Sequence, residues 1–181
     1  MKPAPFARTA ALSIALALTC ATAALPAAAQ SVAEWQTITS QAKIPLEQAI
    51  TRATQAVPGK AIEAQLDDGD GTGPRYEIEV ITPAGDSVEV WVNAITGQAA
   101  QHKNDGAAKR KDRQRLEKAK STIEQAIQAA TRHTPGTPVS AELDSHWGQT
   151  SYQVEVLQAN GTLMEVKIDA VGGEVIRAKK D

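Results

Sequence analysis

Cysteine is almost absent from this chain. The single cysteine, Cys20, lies in the first thirty residues. A chain without further cysteine cannot be held by disulfides or use a thiolate nucleophile, so it must depend on a hydrophobic core. Histidine is also scarce, and His102, His133 and His146 do not have the close spacing that is typical of metal ligands. No G-x-S-x-G motif marks a serine nucleophile. We therefore expect a protein that is not an enzyme and that binds no cofactor.

Long apolar runs are missing beyond the N-terminal segment. That segment carries Lys2 and Arg8, then AALSIALALTCATAAL, then three alanines that end at Ala29. This order is typical of a secretory signal peptide over residues 1–29, and it predicts cleavage after Ala29 and a periplasmic or secreted location. The residues before Cys20 fit a lipidation motif poorly. Since no later run could span a bilayer, we expect no stable membrane insertion.

The charge balance bears on the class of partner. Once Lys2 and Arg8 are removed with the signal peptide, acidic residues outnumber basic residues by 21 to 17. A mildly acidic exported protein is a poor match for the phosphate backbone of nucleic acids. One basic run over residues 109–120 is an exception, and it is either a solvated helix face or a docking surface for an acidic protein or anionic lipid.

The chain contains an internal repeat. The two copies align in two blocks, 46–67 with 123–144 and 76–101 with 152–177. Matching positions carry the same Pro-Gly pair, the same tyrosine and the same turn glycines. Such self-similarity at one period is the signature of a repeated structural unit. We therefore predict two tandem units, over residues 30–105 and 106–181.

Each unit combines one helix with several strands. Apolar residues recur at helical spacing in both units, at Leu46, Ala49, Ile50 and Ala53 and at Ile123, Ala126, Ile127 and Ala130. A Pro-Gly pair follows each helix and ends it. The segments YEIEV and SVEVWVN alternate strictly, and TPAGD and QANGT are hairpin turns between strands. The sequence predicts an α+β fold with two tandem units, each an amphipathic helix packed on a small antiparallel sheet of three to four strands.

The two units are expected to depend on each other. A unit of about 75 residues buries only about 60% of its chain surface, which is marginal for stability. We therefore expect the units to pack together or to share a face. Between them, residues 107–127 (AAKRKDRQRLEKAKSTIEQAI) are highly charged and lack glycine. This composition predicts one helix that runs straight into the helix of the second unit.

The turn segments VNAITGQAA and IDAVGGEVI carry a family resemblance. In each, Asn93 or Asp169 can accept hydrogen bonds from amides two residues on, and Gly97 or Gly173 supplies a positive φ. With the preceding strand and the amphipathic helix, these segments resemble the PepSY domain in both units, although Gly172 stands where threonine is usual. The resemblance implies a non-enzymatic periplasmic binding module with a protein partner. It favours a peptidase as that partner, and a role as inhibitor or regulator.

An acidic stretch suggests an alternative function. In DDGDGTGPRYEIE, the carboxylates of Asp68, Asp70 and Glu79 fall close to the pattern of a calcium-binding loop. The second copy, SHWGQTSYQVE, keeps the tyrosine and the strand but lacks the acids. Thr72 is a poor ligand, and Glu79 is expected in a strand. We favour a turn without a metal, and an envelope ligand or Ca²⁺ sensor is the alternative.

The strand pattern separates core positions from candidate contact positions. Ten strand residues should lie under the helices: Tyr76, Ile78, Val88, Val90, Val92, Tyr152, Val154, Val156, Val166 and Ile168. Trp91 points away from them in a chain with only 3% aromatic residues, either to pack on the other unit or N-terminal helix or to anchor a partner. Our candidate partner-binding residues are Trp91, Glu77, Glu79, Glu89, Trp147 and Lys167.

Overall fold

The computed structural model describes residues 32–181, so the predicted signal peptide lies outside the described residues. The first part of the chain forms α1 (Val32–Gln41), α2 (Leu46–Ala56), β1 (Lys60–Asp67), β2 (Arg75–Ile81), β3 (Asp86–Asn93) and β4 (Ala99–Ala107). The second part forms α3 (Arg110–Lys118), α4 (Ile123–His133), β5 (Thr137–His146), β6 (Gln149–Leu157), β7 (Leu163–Asp169) and β8 (Val175–Lys180). The predicted α+β fold with two repeated units is confirmed.

The two units share one antiparallel sheet. The order of its eight strands is β4-β3-β2-β1-β5-β6-β7-β8, so each unit contributes a four-stranded meander. The meanders join where β1 pairs with β5, through Glu63 with Glu142, Ala64 with Ala141 and Gln65 with Ser140. The expectation that the units share a face is confirmed by this join, which we call the seam.

The core lies between the sheet and the two repeat helices. The apolar stripes of α2 and α4 are buried, as are all ten strand residues that were predicted to face them. The buried residues of both units form one continuous cluster, which Trp35 and Ile38 of α1 also join. The helices therefore cover one face of the sheet, and the alternating residues of the strands lie on the other face.

The repeated tyrosine has the same structural role in each unit. The hydroxyl of Tyr76 donates to the carbonyl oxygen of Ile44 at 2.6 Å, and that of Tyr152 donates to Ser121 at 2.8 Å. Burial raises the pKa of both phenols to about 12, with a smaller contribution from a nearby glutamate. Each tyrosine thus fixes the segment that leads into the repeat helix.

The repeated turns are closed as predicted. The side chain of Asn93 accepts from the amides of Ile95 and Thr96, at 3.0 and 2.9 Å. Asp169 accepts from the amide of Val171 at 3.0 Å. These contacts explain why a short polar residue ends β3 and β7 alike.

The segment between the units is not the single helix that the sequence predicted. α3 ends at Lys118, and α4 begins only at Ile123. Thr122 caps α4, since its hydroxyl accepts from the amide of Gln125 at 3.3 Å and its own amide donates to the Gln125 side chain at 2.9 Å. This capping box defines a helix start, so the prediction of one continuous helix is wrong.

Tertiary hydrogen bonds fix the non-helical segment between α3 and α4. The amides of Lys120 and Ser121 donate to the carbonyl oxygen of Ala170, at 2.8 and 3.0 Å. The first unit has the same arrangement, in which Lys43 and Ile44 donate to Ala94. The helices α2 and α4 therefore start just after a segment that is bound by the turn of the same unit. The helical spacing of apolar residues does not reveal such a contact.

Candidate functional site

The candidate site is the open face, defined as the sheet face opposite α2 and α4. Strand alternation places the outward residues of the first unit here, with Glu63 on β1, Glu77 and Glu79 on β2 and Glu89 and Trp91 on β3. The second unit contributes Glu142 on β5, Gln153 and Glu155 on β6 and Glu165 and Lys167 on β7. Adjacent strands therefore bring together Trp91, Glu77, Glu79 and Glu89, as predicted from alternation.

Trp91 is half-buried on this face. Its ring stacks on the imidazole of His102, with ring centroids 3.4 Å apart and planes 8° from parallel. The guanidinium carbon of Arg75 lies 4.0 Å from the ring centroid, which is a cation–π contact. The indole N–H donates to Glu89 at 2.6 Å. These neighbours all belong to the first unit, so the predicted alternative, packing on the other unit or N-terminal helix, does not describe the contacts of the ring.

Arg75 connects Trp91 to the acidic loop. Its guanidinium lies 2.7 Å from Glu77, 3.2 Å from Asp67 and 3.5 Å from Asp70, measured from Nη2 to the nearest carboxylate oxygen. A guanidinium that is paired with three carboxylates neutralises much of the charge that a cation would need. The loop, the strand and the tryptophan therefore form one polar cluster on the open face.

The acidic loop uses its carboxylates for its own turns. Asp67 accepts from the amide of Gly69 at 2.8 Å, and Asp68 accepts from the amide of Asp70 at 2.9 Å. Glu79 lies on β2, as expected, and accepts from the hydroxyl of Ser87 at 2.6 Å. Within residues 32–181, no three acidic, histidine or cysteine side chains are arranged to hold a metal ion.

A row of carboxylates crosses the centre of the open face. In the strand registers, Glu89 lies opposite Glu79, Glu79 opposite Glu63, and Glu63 opposite Glu142. Glu63 is exposed, but partial desolvation by the surrounding side chains, together with the charges of Glu142 and Glu79, raises its pKa to about 7. Two shallow depressions of about 210 and 150 Å³ flank Glu63. Sequence reasoning missed Glu63 and Glu142, because only the pairing of β1 with β5 brings them together.

The other two predicted contact residues lie apart from this cluster. Trp147 is at the tip of the β5–β6 hairpin, where 94% of the residue is exposed. Its φ of 51° lies in the left-handed region that favours glycine or asparagine. The ring of His146 meets it edge-on at 5.5 Å. Lys167 lies on β7, opposite Gln153 and Arg177 in the strand registers.

Similar proteins share parts of this chain. YkoJ of Bacillus subtilis (strain 168), an uncharacterized protein, is 31% identical over 106 residues, which are 59% of this chain and 57% of YkoJ. The chain thus spans little more than half the length of this relative.

No helix within residues 32–181 is both long enough and apolar enough to cross a membrane.

Two solved structures align with this chain at low sequence identity. One is the crystal structure of CD1622 from Clostridium difficile 630. It is 18% identical with a TM-score of 0.45, and the match covers 77% of this chain and 95% of that chain. The other is the Bacillus megaterium YpeB C-terminal domain, 16% identical with a TM-score of 0.29, where the match covers 77% of this chain and 66% of that domain.

The family assignment rests on a match to each unit. The model of the PepSY family, described as "Peptidase propeptide and YPEB domain", matches residues 43–99 and residues 120–179. The first match contains α2 and β1–β3, and the second contains α4 and β5–β7. Each match thus covers the helix, the strands and the turn that repeat in the sequence. The chain therefore belongs to the PepSY family and carries two consecutive copies of its domain.

Proposed function

We propose that this chain is a non-enzymatic periplasmic module that binds a protein partner on its open face, and that the partner is a peptidase which it inhibits or regulates. The observation that carries the proposal is the shared sheet, in which two PepSY units present one continuous face opposite α2 and α4, contacted at Asp144 by Arg115 of α3. PepSY domains are generally non-catalytic modules, and the family description names peptidase propeptides. The predicted signal peptide supports the location.

The composition of the face supports a protein partner of a particular charge. A half-buried aromatic surrounded by carboxylates differs from the apolar centre of an obligate interface, in which charged residues are depleted. Electrostatic complementarity favours a partner whose contacting segment carries lysine or arginine. The acidic excess around Glu63, Glu79 and Glu89 would then increase both the rate of association and the specificity.

Trp147 supports a second contact at the rim. The left-handed backbone conformation of Trp147 costs stability. Among the described residues, the edge contact with His146 is the one ring contact of this exposed side chain that could offset the cost. Tryptophan is enriched among residues that dominate binding energy. We assign Trp147 and Trp91 as anchor candidates, with Lys167 as the polar contact of the second unit.

A panel of purified envelope peptidases tests the proposal. Residues 30–181 are added to each peptidase, and both complex formation and residual activity are measured. We expect at least one peptidase to form a complex and to change activity. Loss of binding across a broad panel would contradict the choice of peptidase as partner. Repeating the panel with and without Ca²⁺ tests the sensor alternative, for which binding should depend on the cation.

A further inference from the structure

The seam between the two units has an unusual composition. Its central pair is Ala64 with Ala141, and on one side of that pair Glu63 lies opposite Glu142. Residues directly opposite in an antiparallel pair have Cβ atoms about 4.5–5.5 Å apart, and like charges at that distance destabilise the pairing. The strands that join the two halves of the molecule therefore repel each other when both carboxyl groups are charged.

The repeat shows that the fold does not require this pair. The internal symmetry relates Glu63 to Ser140 and Glu142 to Gln65, and these two residues form the pair on the other side of the seam. There, neutral side chains occupy the same structural positions. Ser140 also donates to Glu155 at 2.7 Å, which partly satisfies that carboxylate. The charge at the seam is thus confined to one side.

Close ion pairs are missing along the charged side in the described residues. Within residues 32–181, none of Glu63, Glu79, Glu89 and Glu142 forms an ion pair, whereas Glu165 on the same face pairs with Arg177 at 3.2 Å and Lys179 at 3.0 Å. Lys103 lies opposite Glu89 but forms its ion pair with Asp105.

The seam is also short. β1 and β5 pair over three residues on each strand, whereas β1 pairs with β2 and β5 with β6 over most of their lengths. A short ladder opens more easily than a long one, because fewer hydrogen bonds must break together. Repulsion at one of its ends therefore acts on the weakest backbone connection in the described sheet.

We propose that the seam is a pH-sensitive joint between the two units, tightened when Glu63 and Glu142 are neutral and loosened when both are charged. The joint lies at the centre of the open face, and it depends only on repulsion of the carboxylate row across the pairing of β1 and β5, whatever the face binds.

The charges around the pair agree with this direction. The groups that act on Glu63 are Glu142, Glu79, Asp112 and Lys109, and those that act on Glu142 are Asp144, Arg115, Lys111 and Asp112. Both residues are exposed, yet partial desolvation by the surrounding side chains and the acidic neighbours outweigh the cations, so the pKa of Glu63 rises to about 7 and that of Glu142 also rises. A carboxyl group with a raised folded-state pKa stabilises the fold at low pH. That contribution is lost as the pH increases from the ordinary glutamate pKa through the raised one.

Hydrogen exchange of the protein alone tests the joint. Protection of the amides of residues 63–65 and 140–142 is compared at about pH 7.5 and 5.5, after correction for intrinsic exchange. Linkage limits the change in protection to about tenfold per pH unit for each proton that binds on closing. We expect protection at the seam to increase at least about threefold at the lower pH. The double variant Glu63→Gln/Glu142→Gln should be protected at both pH values, with no pH dependence.

The control is Glu165→Gln, which removes a carboxylate from the same face but should keep the wild-type pH dependence of the seam. Equal protection of the wild type at both pH values, or an unchanged pH dependence in the double variant, would overturn the proposal. If the double variant does not fold, the Glu142 carboxyl is titrated by NMR in wild type and in Glu63→Gln. Its midpoint should fall when Glu63 is neutral, and an unchanged midpoint would overturn the proposal equally.

Discussion

Trp91 illustrates how one side chain joins several parts of the open face. Its ring contacts Arg75 from β2 and His102 from β4, and its N–H is bound by Glu89 within β3. Arg75 then extends the contact to the acidic loop. Trp91, which alternation alone places on the outward side, thus also has a structural role. Its replacement should therefore lower the stability of the protein even in the absence of a partner.

Replacing Trp91 by alanine should lower stability moderately. The loss of one cation–π contact and one ring stack corresponds to about 1–2 kcal/mol in the free energy of unfolding. Val90→Ala on the covered face should lower stability more, by about 2–3 kcal/mol, because it leaves a cavity in the core. Urea denaturation measures both. An unchanged free energy for Trp91→Ala would show that the stack contributes nothing to the fold.

Replacing Trp147 by asparagine should have the opposite effect. Asparagine tolerates the left-handed conformation that Trp147 adopts, so stability should be unchanged or higher by up to about 1 kcal/mol. Thermal unfolding measures this, with Trp35→Asn as the buried counterpart that should destabilise strongly. A clear decrease in melting temperature for Trp147→Asn would mean that the exposed ring has a structural role.

At the scale of elements, local patterns predicted most of the fold. Burial of one side of a helix or strand produces a periodic pattern of apolar residues in the sequence. This pattern is visible as alternation in YEIEV and SVEVWVN and as helical spacing from Leu46 to Ala53. The break before Ile123 left no trace in the apolar pattern, because it depends on hydrogen bonds to Ala170, far along the chain. The Thr122 and Gln125 pair of the capping box was the one sequence signal that marked the helix start. The carboxylate row was missed for the same reason, since the register of β1 against β5 depends on how the two units meet.

The helix break makes Thr122 a test of element boundaries. Removing its capping oxygen by Thr122→Ala should lower the free energy of unfolding by about 1 kcal/mol. Thr131→Ala on the same helix is the control, because its hydroxyl bonds only within the helix and alanine has the higher helix propensity. Chemical denaturation of both variants gives the comparison. Equal effects of the two substitutions would argue against a cap at Thr122.

At the scale of the whole molecule, the two units behave as one body in the described residues. They share a sheet and a single continuous core, and each has its tyrosine hydrogen bond in the same place. Two similar halves could unfold separately if only a linker joined them. Here the seam within the sheet and the contact of α2 with α4 on the covered face connect them, so unfolding should be cooperative.

Matched substitutions in the two units test this cooperativity. Tyr76→Phe and Tyr152→Phe each leave a carbonyl oxygen without its buried donor, which costs about 1–3 kcal/mol. Each variant should shift one common unfolding transition, seen alike by circular dichroism and by tryptophan fluorescence. Two separate transitions, of which each variant shifts only one, would show that the units fold independently.

The central claim, that the open face binds a peptidase, is tested most directly by one affinity comparison. The dissociation constant for a peptidase identified by the panel is measured with wild type, Glu79→Lys and Glu174→Lys. The two variants make the same change of charge, but Glu174 is exposed in the turn before β8, outside the carboxylate row. We predict that Glu79→Lys relieves repulsion within the protein yet weakens binding at least about tenfold, or 1.4 kcal/mol, while Glu174→Lys leaves the affinity within about twofold. Equal affinities for all three proteins would contradict the claim.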